Sequence, residues 1–266
     1  MTKPSRSVTV VIPARYGSSR FPGKPLVNLG GKPMVQHVYE RAAACRVVSD
    51  VLVATDDERI KRAVEQFGGR VLMVTGDYRT GTDRVAAVAR MFAGEFFVNL
   101  QGDEIPLNPE LLADLIEPFI QSGAEVGTLK RAMDATDDLS NPAVVKVTTD
   151  AKGYALYFSR APIPLVRDDP DRRVVTGLHY IHLGVYMYTK DSLLRFTALP
   201  TSRMEDAEKL EQLRGLEHGM RIRVWETKHA SLRVDTPEDA APVAEKLQQF
   251  EALKRELSLG RAVPSR

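Results

Sequence analysis

Between Arg15 and Lys24 the chain gathers three cations, Arg15, Arg20 and Lys24, among Gly17, Ser18, Ser19 and Gly23. Small residues let backbone N–H groups approach a polyanion closely, and the cations supply the opposite charge. That chemistry suits a nucleoside triphosphate. The loop is neither a P-loop, lacking G-x-x-x-x-G-K-S/T, nor a dinucleotide fingerprint, lacking G-x-G-x-x-G. Far along the chain, Gln101-Gly102-Asp103-Glu104 follows an apolar run. A carboxylate there can hold magnesium, a hard cation that prefers oxygen ligands, while Gln101 offers an amide to a base or a sugar. Asp235 stands just before Thr236-Pro237-Glu238-Asp239, where Thr236 reads as an N-cap and Asp239 as its capping-box acid. Asp235 lies outside that helix start, has no structural task of its own, and is free for a metal. No Ser-His-Asp series or H-E-x-x-H run offers a competing chemistry.

The elements that must hold these residues follow from the patterning. Val8 to Ile12 is a β-branched run ended by Pro13, a strand that stops at the cationic loop. Helix is predicted from about Val35 to Ala44, strand over Val51 to Thr55, helix from Glu58 to Phe67, and strand over Val71 to Val74. Thr80-Gly81-Thr82-Asp83-Arg84 then opens a helix, its small polar residues and free amides fit either to cap it or to hold a ligand oxygen. Arg84 favours an anion nearby, because a cation is unfavourable in a helix's first turn. Phe96 to Leu100 is a strand running straight into Gln101, and ligands bind beyond the carboxyl ends of strands in open α/β sheets. Alternating strands and helices predict an α/β fold, a mostly parallel, doubly wound sheet with helices on both faces.

Pro109 to Ser122 reads as an amphipathic helix, Val126 to Lys130 as a strand, and Ala143 to Phe158 as a hairpin turning at 150–153. With Leu183 to Tyr188 these form an antiparallel extension or small lobe over residues 143–200. A helix from Asp206 to Gly215, a strand from Ile222 to Trp225 and a last helix to about Leu257 complete one domain, 1–257, with a short tail at 258–266.

Composition narrows the function. Lys and Arg total 37 against 35 acidic residues, a net +2 with His neutral, which argues against nucleic-acid binding through a basic field. No apolar run approaches the roughly 20 residues of a bilayer span, so no membrane insertion is expected. Cys45 is the single cysteine, which excludes an intrachain disulfide and suggests a buried small hydrophobe. A cytoplasmic protein is the expectation.

The opening segment PARYGSSRFPGKPL closely resembles the nucleotide-binding signature of the cytidylyltransferases that activate Kdo (3-deoxy-D-manno-octulosonate). TGTDR, VNLQGDE, NPAVVKV, GYALYFSRAPIP, HLGVY, LEQLR and VDTPED follow in the family's order, over roughly residues 8 to 247. The resemblance implies a nucleotidyltransferase fold whose antiparallel region builds a homodimer. It implies CTP and Kdo as substrates, CMP-Kdo for lipopolysaccharide synthesis and pyrophosphate as products, and Mg2+ as cofactor. By position, Arg15, Ser18, Arg20 and Lys24 would surround the CTP phosphates, with Ala14, Thr80 and Gly81 beside the nucleotide. Thr82, Arg84 and Gln101 would help hold the cytidine, and Asp103 and Asp235 match the metal ligands. Arg15, Lys24, Asp103 and Asp235 would thus carry the catalysis. Arg160, His182, Tyr186, Glu211 and Gln212 fall where the sugar acid binds, Arg160 being the cation for its carboxylate. Four positions depart from the family pattern: Ile105 after QGDE, Ile181 before His182, Asp206 where many members have His, and Arg233 in place of a small residue before VDTPED. A carboxylate at 206 would suit an amino sugar such as 8-amino-8-deoxy Kdo. The alternatives are therefore a related acid sugar, amino-Kdo or sialic-acid-like, or a catalytically silent nucleotide-binding homologue.

Overall fold

The computed structural model describes residues 7–17, 21–168 and 173–258. β1 (Val8–Ala14) leads through the cationic loop to a 3-10 turn (Lys24–Leu26), a short hairpin of β2 (Asn28–Leu29) and β3 (Lys32–Pro33), and α1 (Met34–Ala43). Strand and helix then alternate through β4 (Asp50–Thr55), α2 (Glu58–Gln66), β5 (Val71–Met73), α3 (Gly81–Met91) and β6 (Phe96–Leu100). β7 (Glu104–Pro106), α4 (Glu110–Ser122) and β8 (Val126–Ala132) precede three strands, β9 (Lys146–Thr149), β10 (Ala155–Ser159) and the long β11 (Tyr180–Thr189). The chain ends in α5 (Lys190–Ala198), α6 (Arg203–Glu208), α7 (Gln212–Glu217), β12 (Ile222–Glu226), β13 (Ser231–Arg233), a 3-10 turn (Pro237–Asp239) and α8 (Ala240–Ser258).

In the main sheet β5, β4, β1 and β6 lie side by side and parallel. β11 runs antiparallel between β6 and β8, and β12 continues beyond β8 in parallel. β9 joins β11 through Ile181 and Lys146 and carries β10 antiparallel at its side. Successive strand residues face opposite sides. Val8, Val10 and Ile12 of β1 therefore enter one core with α1, α4 and α8, while Val11 enters the other with α3, α5 and α7. Both faces of the parallel strands are covered, which explains their unbroken apolar runs.

Several boundaries differ from the sequence expectation. β1 continues through Pro13 because pairing to β6 ends at Val11 while pairing to β4 runs on to Ala14. The ring's missing N–H thus falls where one side of the strand has already opened. The helix expected over 206–215 is two helices, since Lys209 adopts a left-handed φ of 52° between them. Residues 190–198, inside the region read as antiparallel, form α5, capped by Thr189, whose hydroxyl accepts from the Ser192 N–H. The last helix begins as the 3-10 turn, with the expected Thr236–Asp239 capping box in place. Cys45 is buried behind α1, and burial raises its thiol pKa, which suits packing rather than nucleophilic work. Among the described residues no helix is long and apolar enough to cross a membrane.

Candidate active site

The cationic loop is shaped by Gly23, whose φ of 73° is left-handed and whose N–H donates to Tyr16 O at 2.8 Å. A Cβ there would also press on the Tyr16 ring at 3.1 Å. This turn starts the 3-10 segment that presents Lys24. The Lys24 ammonium donates to Asp103 Oδ2 at 2.6 Å and to Val234 O at 3.0 Å, tying the loop to the residues just after β6 and β13. Asp103 is set by Gly102, where a Cβ would lie 3.0 Å from the backbone oxygen of Pro13, so the 101–103 turn can sit directly on the end of β1. A cavity of about 180 Å3 collects Ala14, Arg15 and Lys24 from the loop, Thr80, Gly81 and Arg84 from the start of α3, and Gln101 and Asp103 after β6. Ser18 and Arg20 lie outside the described residues.

Thr80 caps α3 in a box with Asp83. The anion that Arg84 needs is the protein's own: its guanidinium donates to Asp56 Oδ2 at 2.6 Å and to Val74 O at 3.0 Å. Arg84 walls the cavity while committed to these partners.

A second cavity, about 210 Å3, shares Gln101 and Asp103 with the first. Into it come Arg160, His182, Tyr186, Glu211 and Gln212, the residues expected on the sugar side, together with Thr82, which was expected beside the cytidine and instead lines this cavity. The pairing of β11 with β8 is irregular between Leu183 and Tyr186, a bulge of the kind that re-aims side chains beside functional sites. His182 Nε2 and Thr128 Oγ1 are 3.0 Å apart, and the Phe158 ring packs edge-on at 4.8 Å. Burial, aided by the nearby Arg233, lowers the His182 pKa to about 3, so the ring is neutral at physiological pH. The Tyr186 hydroxyl is buried with no hydrogen-bond partner among the described residues, and burial first, then Tyr188 and Glu211, raises its pKa. Glu211 is pushed up to about 7 by burial, against the hydrogen bonds of Thr82 and Thr80 and the charge of Arg214. The Thr80 hydroxyl reaches Glu211 Oε1 at 3.1 Å.

Asn99 was not among the expected site residues. Its amide donates to Thr82 Oγ1 at 2.9 Å and its oxygen accepts from Gln101 at 3.3 Å, linking β6 to α3 beneath both cavities. A lone amide inside the apolar run FFVNL was the available signal.

Two expectations need correction. Arg160 lines the cavity, but its guanidinium donates to the backbone oxygens of Glu208 at 2.6 Å, Pro142 at 2.8 Å and Lys209 at 3.4 Å. It clamps the chain between α6 and α7 rather than waiting for an anion. Asp235 does have structural partners: Arg233 Nε pairs ionically with its Oδ2 at 3.0 Å, and its own N–H donates to Asp239 Oδ2 at 2.9 Å. Arg233 lines the second cavity, and Glu104, paired with it across β7 and β13, is a buried carboxylate that accepts from the Ser231 hydroxyl. Desolvation opposes the Arg233 charge, but Asp103, Glu104 and Asp235 outweigh it and raise its pKa. Asp206 is not among the side chains that line the cavity; it is 65 % exposed, with its carboxylate 3.6 Å from Nζ of Lys209, which does line it. Ile181 is a half-buried residue packed on the core.

Asp103 and Asp235 are oxygen donors of the kind magnesium accepts, and both act on the same Arg233. Among the described residues no group of three His, Cys, Asp or Glu side chains gathers to cage a metal. Two carboxylates suit an ion that completes its shell with phosphate oxygens and water.

A cytidylyltransferase family model matches residues 9–222. The chain is 51 % identical to a 3-deoxy-manno-octulosonate cytidylyltransferase of Geobacter sulfurreducens, over 91 % of this chain and 100 % of that one. It is 45 % identical to the enzyme of that name from Thermodesulfovibrio yellowstonii, over 89 % and 96 %. A CMP:2-keto-3-deoxy-manno-octonic acid synthetase solved with CTP superposes with a TM-score of 0.81 at 41 % identity, covering 93 % of this chain and 99 % of that one. HddC from Yersinia pseudotuberculosis, at 16 % identity and a TM-score of 0.62 over 90 % and 98 %, shares the fold.

Proposed function

The chain belongs to the cytidylyltransferase family, and from that premise we propose that it transfers the cytidylyl group of CTP to Kdo, releasing pyrophosphate. The observation that carries this reading is the wall common to both cavities: Gln101 and Asp103 face the loop of cations on one side and the polar sugar-sized cavity on the other. Two substrates seated there would meet at Asp103. The anomeric hydroxyl of the sugar attacks the α-phosphorus, the bond to the β-phosphate oxygen breaks, and charge builds on the non-bridging oxygens and the leaving group.

Little covalent work falls to the protein, so positioning and electrostatics dominate. Lys24 meets the developing charge as a point cation and Arg15 as a planar fork. His182, neutral, and Tyr186, whose hydroxyl has no hydrogen-bond partner among the described residues, orient sugar hydroxyls, as do Glu211 and Gln212. Asp103 and Asp235 would hold Mg2+, which supplies charge neutralisation at the phosphates. The Lys24 ammonium must then exchange its hold on Asp103 for the triphosphate. The product CMP-Kdo serves lipopolysaccharide synthesis, the enzyme works in the cytoplasm, and the antiparallel region carries a homodimer.

The reading is tested by supplying CTP and magnesium with a panel of acid sugars and following pyrophosphate. Kdo should support the fastest release. Preference for 8-amino-8-deoxy Kdo or a sialic acid would replace Kdo as substrate, and CTP binding without release from any sugar would mark a silent homologue.

A further inference from the structure

The sugar's carboxylate sits on the same carbon as the hydroxyl that attacks phosphorus. Whatever cation receives it must therefore stand beside the wall shared by the two cavities, next to Asp103. The cavity is otherwise rich in acids, with Asp103, Glu104 and Glu211 on its walls, so an anionic sugar entering it needs a cation close by.

Among the described residues three basic side chains line the cavity: Arg160, Lys209 and Arg233. Arg160 is held by three backbone oxygens, on the side of α6 and α7. Lys209 is 76 % exposed and lies 3.6 Å from Asp206. Arg233 is different. It is in register with Glu104, the residue after Asp103, and so belongs to the reacting wall. Its Nε forms an ion pair with Asp235 Oδ2 at 3.0 Å, its side chain is 44 % exposed, and among the described residues its two Nη groups have no hydrogen-bond partner. A guanidinium anchored through Nε still presents both Nη groups as a planar fork matched to a carboxylate.

We propose that Arg233 is this chain's specificity-determining cation, receiving the carboxylate of the acid sugar, while Arg160 holds the cavity's frame. The assignment rests on the cytidylyl-transfer reading above. It also gives a task to the residue that departs from the family pattern at this position.

The test compares wild type, Arg233→Gln and Arg233→Lys on Kdo and on its C1 carboxamide, with CTP binding measured by calorimetry. Arg233→Gln should lower kcat/KM for Kdo roughly tenfold to a hundredfold, mainly through KM. CTP affinity should stay within about twofold, which also reports an intact fold, and Arg233→Lys should recover part of the loss. The wild-type preference for the acid over the amide should fall by the same factor as kcat/KM. An unchanged acid preference in Arg233→Gln overturns the assignment, and so does an equal loss of CTP affinity, which would put the guanidinium on phosphate. Absence of pyrophosphate from wild type with Kdo would instead overturn the reading beneath it.

Discussion

The ion pair between Lys24 and Asp103, 2.6 Å long, joins the residue proposed for phosphate to the one proposed for metal. Asp103→Asn and Asp235→Asn should each lower kcat by roughly two to four orders of magnitude, the loss of several kcal/mol of charge stabilisation. Near-normal turnover of either variant at saturating magnesium removes that residue from the metal site. Lys24→Ala should weaken CTP more than CMP, because CMP lacks the phosphates this cation faces; equal losses would move Lys24 to the base or ribose. Glu211 makes a stability prediction. Its pKa rises on folding from 4.5 to about 7, so below pH 4.5 the group is protonated in both states and carries no penalty. Between pH 4.5 and 7 the unfolded chain ionises this carboxyl while the native state keeps it protonated, so stability falls by roughly 3 kcal/mol over that window and levels off above 7. Denaturation of Glu211→Gln should lack that part of the slope; an unchanged slope would show that the carboxylate is well solvated. Lys24 and Asp103 were legible in the sequence because a strand end marks them. The commitment of Arg160 was not, since its partners come from residues 142, 208 and 209.

The break between α6 and α7 is what lets Glu211 and Gln212 turn into the cavity, and Arg160 fastens it. Arg160→Gln should therefore lower the melting midpoint by roughly 3–6 °C, since its charge-assisted bonds to the backbone oxygens of Glu208, Pro142 and Lys209 are lost and a domain of this size shifts by about 2–4 °C per kcal/mol. Lys209→Gly should leave the midpoint unchanged or raise it, because glycine adopts the left-handed φ of 52° without steric cost. A midpoint several degrees lower would mean that the Lys209 side chain itself holds the joint. No propensity marks a lysine for that conformation, so the sequence reads as one helix across 206–215. The helices that cover the sheet were legible for the opposite reason: α3 and α4 bury a face at helical spacing, and Thr80 caps the first of them. α5 carried a cap signal in Thr189 and Ser192, but it follows directly on β11, whose alternation hid it.

At the scale of the molecule, the parallel strands β4, β1 and β6 place both proposed substrates beyond their carboxyl ends, where such sheets bind ligands. That arrangement was readable from unbroken apolar runs, whereas the long β11, paired on both flanks, was visible only from Leu183 to Tyr188. The antiparallel region exposes Leu156 at 63 % and Leu165 at 67 %, apolar side chains that the proposed homodimer would cover. Light scattering should give twice the chain mass of 29.5 kDa, and Leu156→Asp with Leu165→Asp should halve it; a wild-type mass of one chain contradicts the dimer. The central claim is that the α-phosphorus of CTP ends on the anomeric oxygen of Kdo. Incubating the protein with magnesium, Kdo and CTP labelled at the α-phosphorus follows that atom directly. The account predicts that label moves into a sugar nucleotide in step with unlabelled pyrophosphate. Label retained in CTP, or appearing as CDP with inorganic phosphate, would contradict it.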